Sequence, residues 1–252
     1  MKLIYVIMYS LLFLACSDNT GQTSISKIAH AGGGFNGETY TDSIDALNFN
    51  KNRYSLFEID FSFTSDNELV CIHDWGEYGS VKRTFGIELD TPPTLKEFEN
   101  LVKEKQGYKS CTFYTLVEWL KANPNKKIVT DVKDDNIKAL EYFAKNFAGY
   151  KNQIIPQIYN PEEYDVVKKL GYKDIILTLY RWGGDDEKVL ETVKNNKYMA
   201  ITMPTFRVQS LAPKLKSIGM PSYVHTINNI EDFEKYKQMG ISSIYTDWLP
   251  DN

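Results

Sequence analysis

Glu58, Asp60 and His73 are residues whose types and spacing can do chemistry together. Glu58 and Asp60 stand two apart in Phe57-Glu58-Ile59-Asp60-Phe61-Ser62-Phe63, where apolar and polar residues alternate. That alternation marks a strand with two unlike faces, so both carboxylates share one face. Asp66-Asn67 is a turn pair, and Leu69 to Ile72 resumes the strand. The link is too short for a crossover helix, so the second strand must run antiparallel. A two-residue turn at Asp66-Asn67 sets Phe63 against Val70, Phe61 against Ile72 and Asp60 against His73. One face then holds Phe57, Ile59, Phe61, Phe63, Val70 and Ile72, and the other Glu58, Asp60, Ser62 and His73. In this register Asp74 points away from His73 and braces the turn. Two carboxylates and an imidazole on one patch can hold a hard metal ion and move a proton beside it.

Two further groups fall at strand ends. His30 closes a short strand and is followed by Gly32, Gly33 and Gly34. Asp131 and Lys133 are two apart in Lys127-Ile128-Val129-Thr130-Asp131-Val132-Lys133, so they too share a face. Glu58, Asp60 and Asp131 together would raise each other's pKa values. One Ca²⁺ or Mg²⁺ resolves this, since both prefer oxygen ligands. Lys133 then offers a positive charge to an anionic substrate.

The elements that must position these residues form a regular series. Nine strand-like runs occur, and Leu69 to His73 is antiparallel by the turn argument. The other eight are separated by helices or long connections, which predicts a (β/α)₈ TIM barrel, with the hairpin at about 57–74 on the C-terminal mouth. The runner-up is an open doubly wound sheet. It fits less well, because Asp131 and Lys133 also lie at a strand's C-terminal end. Three helices are expected to stop at Gly171, Gly219 and Gly240, each preceded by Lys-x-x. Glycine there allows the left-handed cap, and lysine suits the helix C-terminus. The stretch from Trp75 to Pro93 reads as irregular.

Net charge is −4 with no basic stripe, which sets nucleic acid aside. Seventeen Tyr and thirteen Phe supply a sizeable core. Met1-Lys2, the apolar run Leu3 to Leu14 and Ala15-Cys16 resemble a bacterial lipoprotein signal, cut before a cysteine that receives lipid. The expectation is a signal segment over 1–16, a polar tether over 17–26 and one barrel domain over 27–252. Cys16 would tie the protein to a membrane, with no acidic residue at Ser17 to retain it on the inner one. That places it on the outer membrane, facing the periplasm or cell surface, as a monomer. Nothing says whether Cys71 and Cys111 pair.

The motifs in order resemble the glycerophosphodiester phosphodiesterases, within the phosphatidylinositol-phospholipase-C-like barrels. The resemblance runs from Ile28 to the chain's end. Ile28-Ala29-His30-Ala31-Gly32-Gly33 resembles the opening His-Arg-Gly segment, and Glu38-Thr39 with Ser43 to Leu47 the Glu-Asn-Thr and its helix. Glu58-Ile59-Asp60, His73-Asp74, Arg83-Thr84 and Asp131-Val132-Lys133 follow. His225-Thr226-Ile227-Asn228 and Thr246-Asp247-Trp248-Leu249-Pro250 complete the series.

The resemblance implies metal-dependent phosphodiester hydrolysis. His30 and His73 would be acid and base, Glu58, Asp60 and Asp131 metal ligands, and Lys133 the phosphate contact. Ala31 departs from the family's phosphate-binding arginine, Asp131 is shorter than its glutamate, and His225 replaces a tryptophan. The alternative is a non-catalytic barrel lipoprotein that binds a phosphate-bearing lipid or glycan.

Each residue also has a plainer reading. A single His30 could be a hydrogen-bonded core histidine, and Asp131 with Lys133 a structural ion pair. Glu38 is metal-proximal or caps its loop. His225 is a third polar contact or filling, and Arg83 a solvated loop residue or a phosphate contact. Trp75, Trp182 and Trp248 follow strand ends, where they line the pocket or pack.

Overall fold

The computed structural model describes residues 25–76 and 78–251. The expected signal, most of the tether and Cys16 lie outside them.

The strands are β1 (Ile28–Ala29), β2 (Leu56–Phe63), β3 (Leu69–Cys71), β4 (Lys127–Val132), β5 (Ile154–Ile158), β6 (Ile176–Thr178), β7 (Ala200–Pro204), β8 (Ser222–His225) and β9 (Ser243–Thr246). All but β3 run parallel, and β1 pairs with both β2 and β9, so eight strands close into a TIM barrel. The helices are α1 (Ile44–Asn50), α2 (Ser80–Phe85), α3 (Leu95–Glu104), α4 (Phe113–Ala122), α5 (Asn136–Asn146), α6 (Glu163–Lys169), α7 (Asp186–Asn195), α8 (Val208–Ser217) and α9 (Ile230–Gln238). Gly171, Gly219 and Gly240 have positive φ of 93°, 72° and 110°, as the three helix stops require. The α2 helix lies inside the stretch read as irregular. Gly79 and Gly86, both left-handed, bound it.

The strands' two faces divide the labour. Outward, Phe57, Ile59, Phe61, Ile128, Leu177 and Ile201 join the core beneath the helices. Inward, Ile28, Leu56, Val129, Ile155, Ile176, Ala200, Tyr223 and Tyr245 plug the lower barrel. Two residues further along, the same inward positions hold His30, Glu58, Asp131, Gln157, Thr178, Thr202, His225 and Asp247. One strand repeat therefore turns an apolar plug into a polar floor at the C-terminal ends.

The hairpin is antiparallel as expected, but its register differs by one residue. Phe61 pairs with Cys71, Ser62 with Val70 and Phe63 with Leu69, so Asp60 does not face His73. The loop holds three residues, not two. The Thr64 N–H bonds the Glu68 carbonyl at 2.9 Å, and Asn67 adopts a left-handed φ of 64°. A three-residue loop closed by a left-handed residue shifts every pair by one. Leu69 and Cys71 thus join the phenylalanine face. Val70 and Ile72 lie on the Ser62 side, in a satellite core with Val81 and Phe98.

The β3 strand finds room on β2 because β1 is only two residues long. It pairs with Phe61 to Phe63, beyond the stretch that β1 covers. A disulfide joins Cys71 to Cys111, just ahead of α4.

Candidate active site

Glu58, Asp60 and Asp131 offer carboxylate oxygens that all lie within 4.8 Å of one another. Glu58 and Asp60 are 2% exposed, and Asp131 8%. Lys133, two residues beyond Asp131, reaches back across the cluster. Its Nζ lies 2.7 Å from Asp60 Oδ1 and 2.9 Å from Asp131 Oδ2. Burial pushes the Glu58 carboxyl well above the usual carboxylate range, and the charges of Asp60 and Asp131 push it further. Burial would also raise Asp131, but Lys133 and the hydroxyls of Tyr159 and Tyr180 outweigh it and hold Asp131 low. Burial alone would lower Lys133, yet Asp60 and Asp131 raise it on balance.

The donor set suits a hard cation. Glu58 Oε1 and Asp60 Oδ2 are buried with no hydrogen-bond partner among the described residues. Oxygens stripped of water and left unpaired in this way are what a divalent cation satisfies. The remaining oxygens are held in place. Glu58 Oε2 accepts the Ala31 N–H at 2.8 Å. Tyr180 donates to Asp131 Oδ1 at 2.9 Å, and Tyr159 donates to the same oxygen.

Two histidines stand beside this cluster, each with its Nδ1 on a carboxylate. His30 Nδ1 lies 2.9 Å from Asp247 Oδ1, and His73 Nδ1 lies 2.9 Å from Asp74 Oδ2. A proton held between Nδ1 and a carboxylate leaves Nε2 as the atom that exchanges protons. The Tyr40 ring stands between them, 4.4 Å from the His30 ring and 6.3 Å from that of His73. Asp74 therefore turns toward His73, not away from it. It braces the turn as well, accepting the N–H groups of Gly76 and Tyr78. The strand ends at Cys71, and the chain bends at His73, so strand parity no longer governs where the imidazole points.

A cleft of about 980 Å³ opens beside His73, its partner Asp74 and Lys133. His73, Lys133, Tyr40, Trp75, Tyr78, Tyr180, Arg83 and Arg181 are among its walls. Arg83, from α2, lies 5.3 Å over the Tyr40 ring. His225 is filling with an unspent polar atom. It sits between Tyr180 and Tyr245, its Nε2 is buried with no partner among the described residues, and burial pushes its pKa down to about 4.

Other candidates lie apart from the carboxylate cluster. Glu38 is exposed in a tight turn bridged to Phe35 and stands outside the carboxylate cluster. The buried acid of that loop is Asp42, whose Oδ1 accepts the Asp60 N–H at 3.0 Å. Burial, then Asp60, raises the Asp42 pKa. Trp248 packs against Gly34, where a Cβ would meet its ring at 2.2 Å. Trp182 lies over Gly184 and borders a neighbouring 730 Å³ cleft instead. Of these three tryptophans only Trp75 lines the cleft beside His73. Ala31 is wholly buried at a left-handed φ of 47°, and gives the site its N–H instead of a cation.

Sequence reasoning missed the roles of Asp247, Asp42, Tyr159, Tyr180 and Arg181. Asp247 had a signal, since it is the inward position two beyond Tyr245. The tyrosines had none short of the assembled barrel.

A sequence model of the glycerophosphoryl diester phosphodiesterase family matches residues 42–249. The chain belongs to that family. Its members are phosphoric diester hydrolases, and so is this chain. Among solved structures, the fold is similar to a glycerophosphodiester phosphodiesterase from Thermotoga maritima at 18% identity and TM-score 0.69, covering 88% of this chain and 94% of that one. A second, from Parabacteroides distasonis, has 19% identity and TM-score 0.62, covering 90% and 93%. A phosphodiesterase from Oleispira antarctica, solved with the product sn-glycerol-3-phosphate, has 16% identity and TM-score 0.66, covering 90% and 94%. No curated protein sequence matches.

Proposed function

We propose that this chain hydrolyses glycerophosphodiesters to an alcohol and sn-glycerol 3-phosphate with one divalent cation, Ca²⁺ or Mg²⁺. The observation behind this reading is the pairing of each histidine with its own carboxylate, Asp247 for His30 and Asp74 for His73, beside a buried acidic triad. Glu58, Asp60 and Asp131 would hold the cation, which polarises the phosphoryl oxygens when bound. Lys133 faces the phosphate from the cleft wall. His30 Nε2 takes a proton from the attacking water as its oxygen bonds to phosphorus, and His73 Nε2 gives one to the alcohol oxygen that leaves. Asp74 and Asp247 hold each ring in the tautomer that frees Nε2 and stabilise it when protonated. Lys133 and two tyrosine hydroxyls hold the Asp131 pKa low, which favours an anionic oxygen there for the cation.

The protein also acts as a lipoprotein in this reading, anchored through Cys16 on the outer membrane with its site facing the periplasm or cell surface. The buried disulfide supports a compartment that is oxidising.

Purified protein is assayed against glycerophosphodiesters with Ca²⁺ and with Mg²⁺, then again after chelation. The expected result is release of sn-glycerol 3-phosphate that stops with EDTA and returns with the cation. Full rate after exhaustive chelation would remove the metal from the mechanism. No turnover of any glycerophosphodiester with either cation would overturn the substrate assignment.

A further inference from the structure

The cleft has more cationic wall than one phosphodiester uses. The chain has four arginines, and two of them, Arg83 and Arg181, line it. Neither forms an ion pair with a carboxylate among the described residues, whereas Arg207 is paired with Asp186 at 2.9 Å. Arg83 donates to Ser80 Oγ at 3.1 Å, and Arg181 to the Val132 carbonyl at 3.1 Å. A guanidinium has five N–H donors, so both retain donors for a ligand. The two carboxylates on the same walls among the described residues are engaged. Asp74 holds His73 and Ser80, and Asp134 accepts the Phe63 N–H at 2.9 Å.

The positions of the two arginines matter. Each lies one aromatic ring outside the reacting centre. Arg83 lies over Tyr40, the ring that stands against His30. Arg181 lies 4.3 Å over Tyr159 and 5.3 Å over Tyr180, the two tyrosines bonded to Asp131. One arginine comes from the helix after β3 and the other from the loop after β6. Lying over a ring holds a guanidinium in place while leaving N–H groups free to reach two oxygens of a phosphate. The reacting phosphate already has Lys133 and the cation site beneath it.

We infer that Arg83 and Arg181 form an outer subsite for a second oxyanion on the substrate's alcohol, so that the preferred substrate is a phosphodiester carrying a further phosphomonoester. This rests on the hydrolase reading above and adds the substrate's charge. The oxyanion class is what the walls recognise. An isolated phosphate and the phosphate of a larger alcohol share it, and the probes below separate them.

The test uses glycerophosphoinositol and glycerophosphoinositol 4-phosphate, which differ by one phosphomonoester. Wild type should show kcat/KM at least tenfold higher for the phosphorylated probe, through KM. Arg83→Gln and Arg181→Gln should each cut that ratio several-fold, and the double variant should bring it close to one. Charge-assisted pairs of this kind are worth about tenfold or more in affinity when formed. Calorimetry in EDTA, where no turnover occurs, reads the same preference as binding, with inorganic phosphate as the control. If the variants lose the same factor on both probes, the arginines serve the reacting phosphate and the inference fails. It fails also if wild type shows no preference, or if inorganic phosphate binds as tightly as the phosphorylated probe. If neither probe is hydrolysed but the EDTA binding preference stands and the double variant abolishes it, the subsite holds and the hydrolase reading falls alone.

Discussion

Lys133→Met tests whether the lysine neutralises the carboxylate cluster. The Lys133 side chain is 14% exposed and bonds Asp60 at 2.7 Å and Asp131 at 2.9 Å. No other ammonium or guanidinium pairs with the three carboxylates among the described residues. Methionine keeps the chain's bulk and removes the charge. Taking one partner from a buried ion pair costs about 3–5 kcal/mol. In a domain of this size that is a fall of roughly 6–20 °C in Tm.

The pH dependence has a definite sign in EDTA. In wild type the Asp131 carboxyl is held low, so it contributes stability above its unfolded pKa that is lost as pH falls through the folded value. Without Lys133, burial dominates and the folded pKa rises. Stability is then greatest below the unfolded pKa and is lost as pH rises through the folded one. Glu58 already behaves this way. The deficit of the variant is therefore expected to shrink between pH 7 and pH 5. A divalent cation at a hundred times its Kd should return about 2.7 kcal/mol, and more to the variant than to wild type if it binds the variant more tightly. Denaturant melts of both proteins, at each pH and with and without the cation, measure all of this. A variant within 1 kcal/mol of wild type in EDTA at pH 7, with no narrowing on acidification, would refute the role given to Lys133 (about 1 kcal/mol being an ordinary substitution).

Three other outcomes are expected. His30→Ala and His73→Ala should still bind the cation by calorimetry yet lose about 10²–10⁴-fold in kcat. On a p-nitrophenyl ester, whose leaving group needs little protonation, His73→Ala should recover and His30→Ala should not. Equal losses on both esters would sink the assignment. Cys71→Ser should cost roughly 4 kcal/mol, since the disulfide closes a loop of 40 residues, and dithiothreitol should lower the Tm of wild type similarly once the bond is reached. The wild type should fractionate with membranes and Cys16→Ser should not be matured by the lipoprotein route, and a wild type wholly soluble would defeat the anchor.

The barrel was legible because its information is periodic. An inward residue every second position, and a glycine stop after three helices, can be counted along one chain. The same counting placed Glu58, Asp60, Asp131 and Lys133 together, since each pair sits two apart on a strand that the barrel brings into register as Asp60 beside Asp131. It failed where backbone conformation replaced periodicity. Asn67 in a left-handed conformation lengthened the turn by one residue and undid the pairing of Asp60 with His73. Glu38 is singled out by its likeness to the Glu-Asn-Thr segment, a mark that Asp42 does not carry. Only the turn at Phe35–Glu38 and the cap that Ser43 puts on α1 decide which one enters the barrel.

The partners of the histidines show a different limit. Asp247 reaches His30 across 217 positions of sequence, joined only because β1 and β9 are neighbours in the closed ring. Asp74 reaches His73 from the next residue, and was hidden by the opposite cause, a strand register carried one residue too far. Both errors concern where a strand stops. A strand's interior is specified by alternating side chains, each contributing burial. Its end is specified by one turn and a few hydrogen bonds worth about 1 kcal/mol each. Barrel chemistry is built on strand ends, so the residues that do the chemistry lie where local sequence constrains position least.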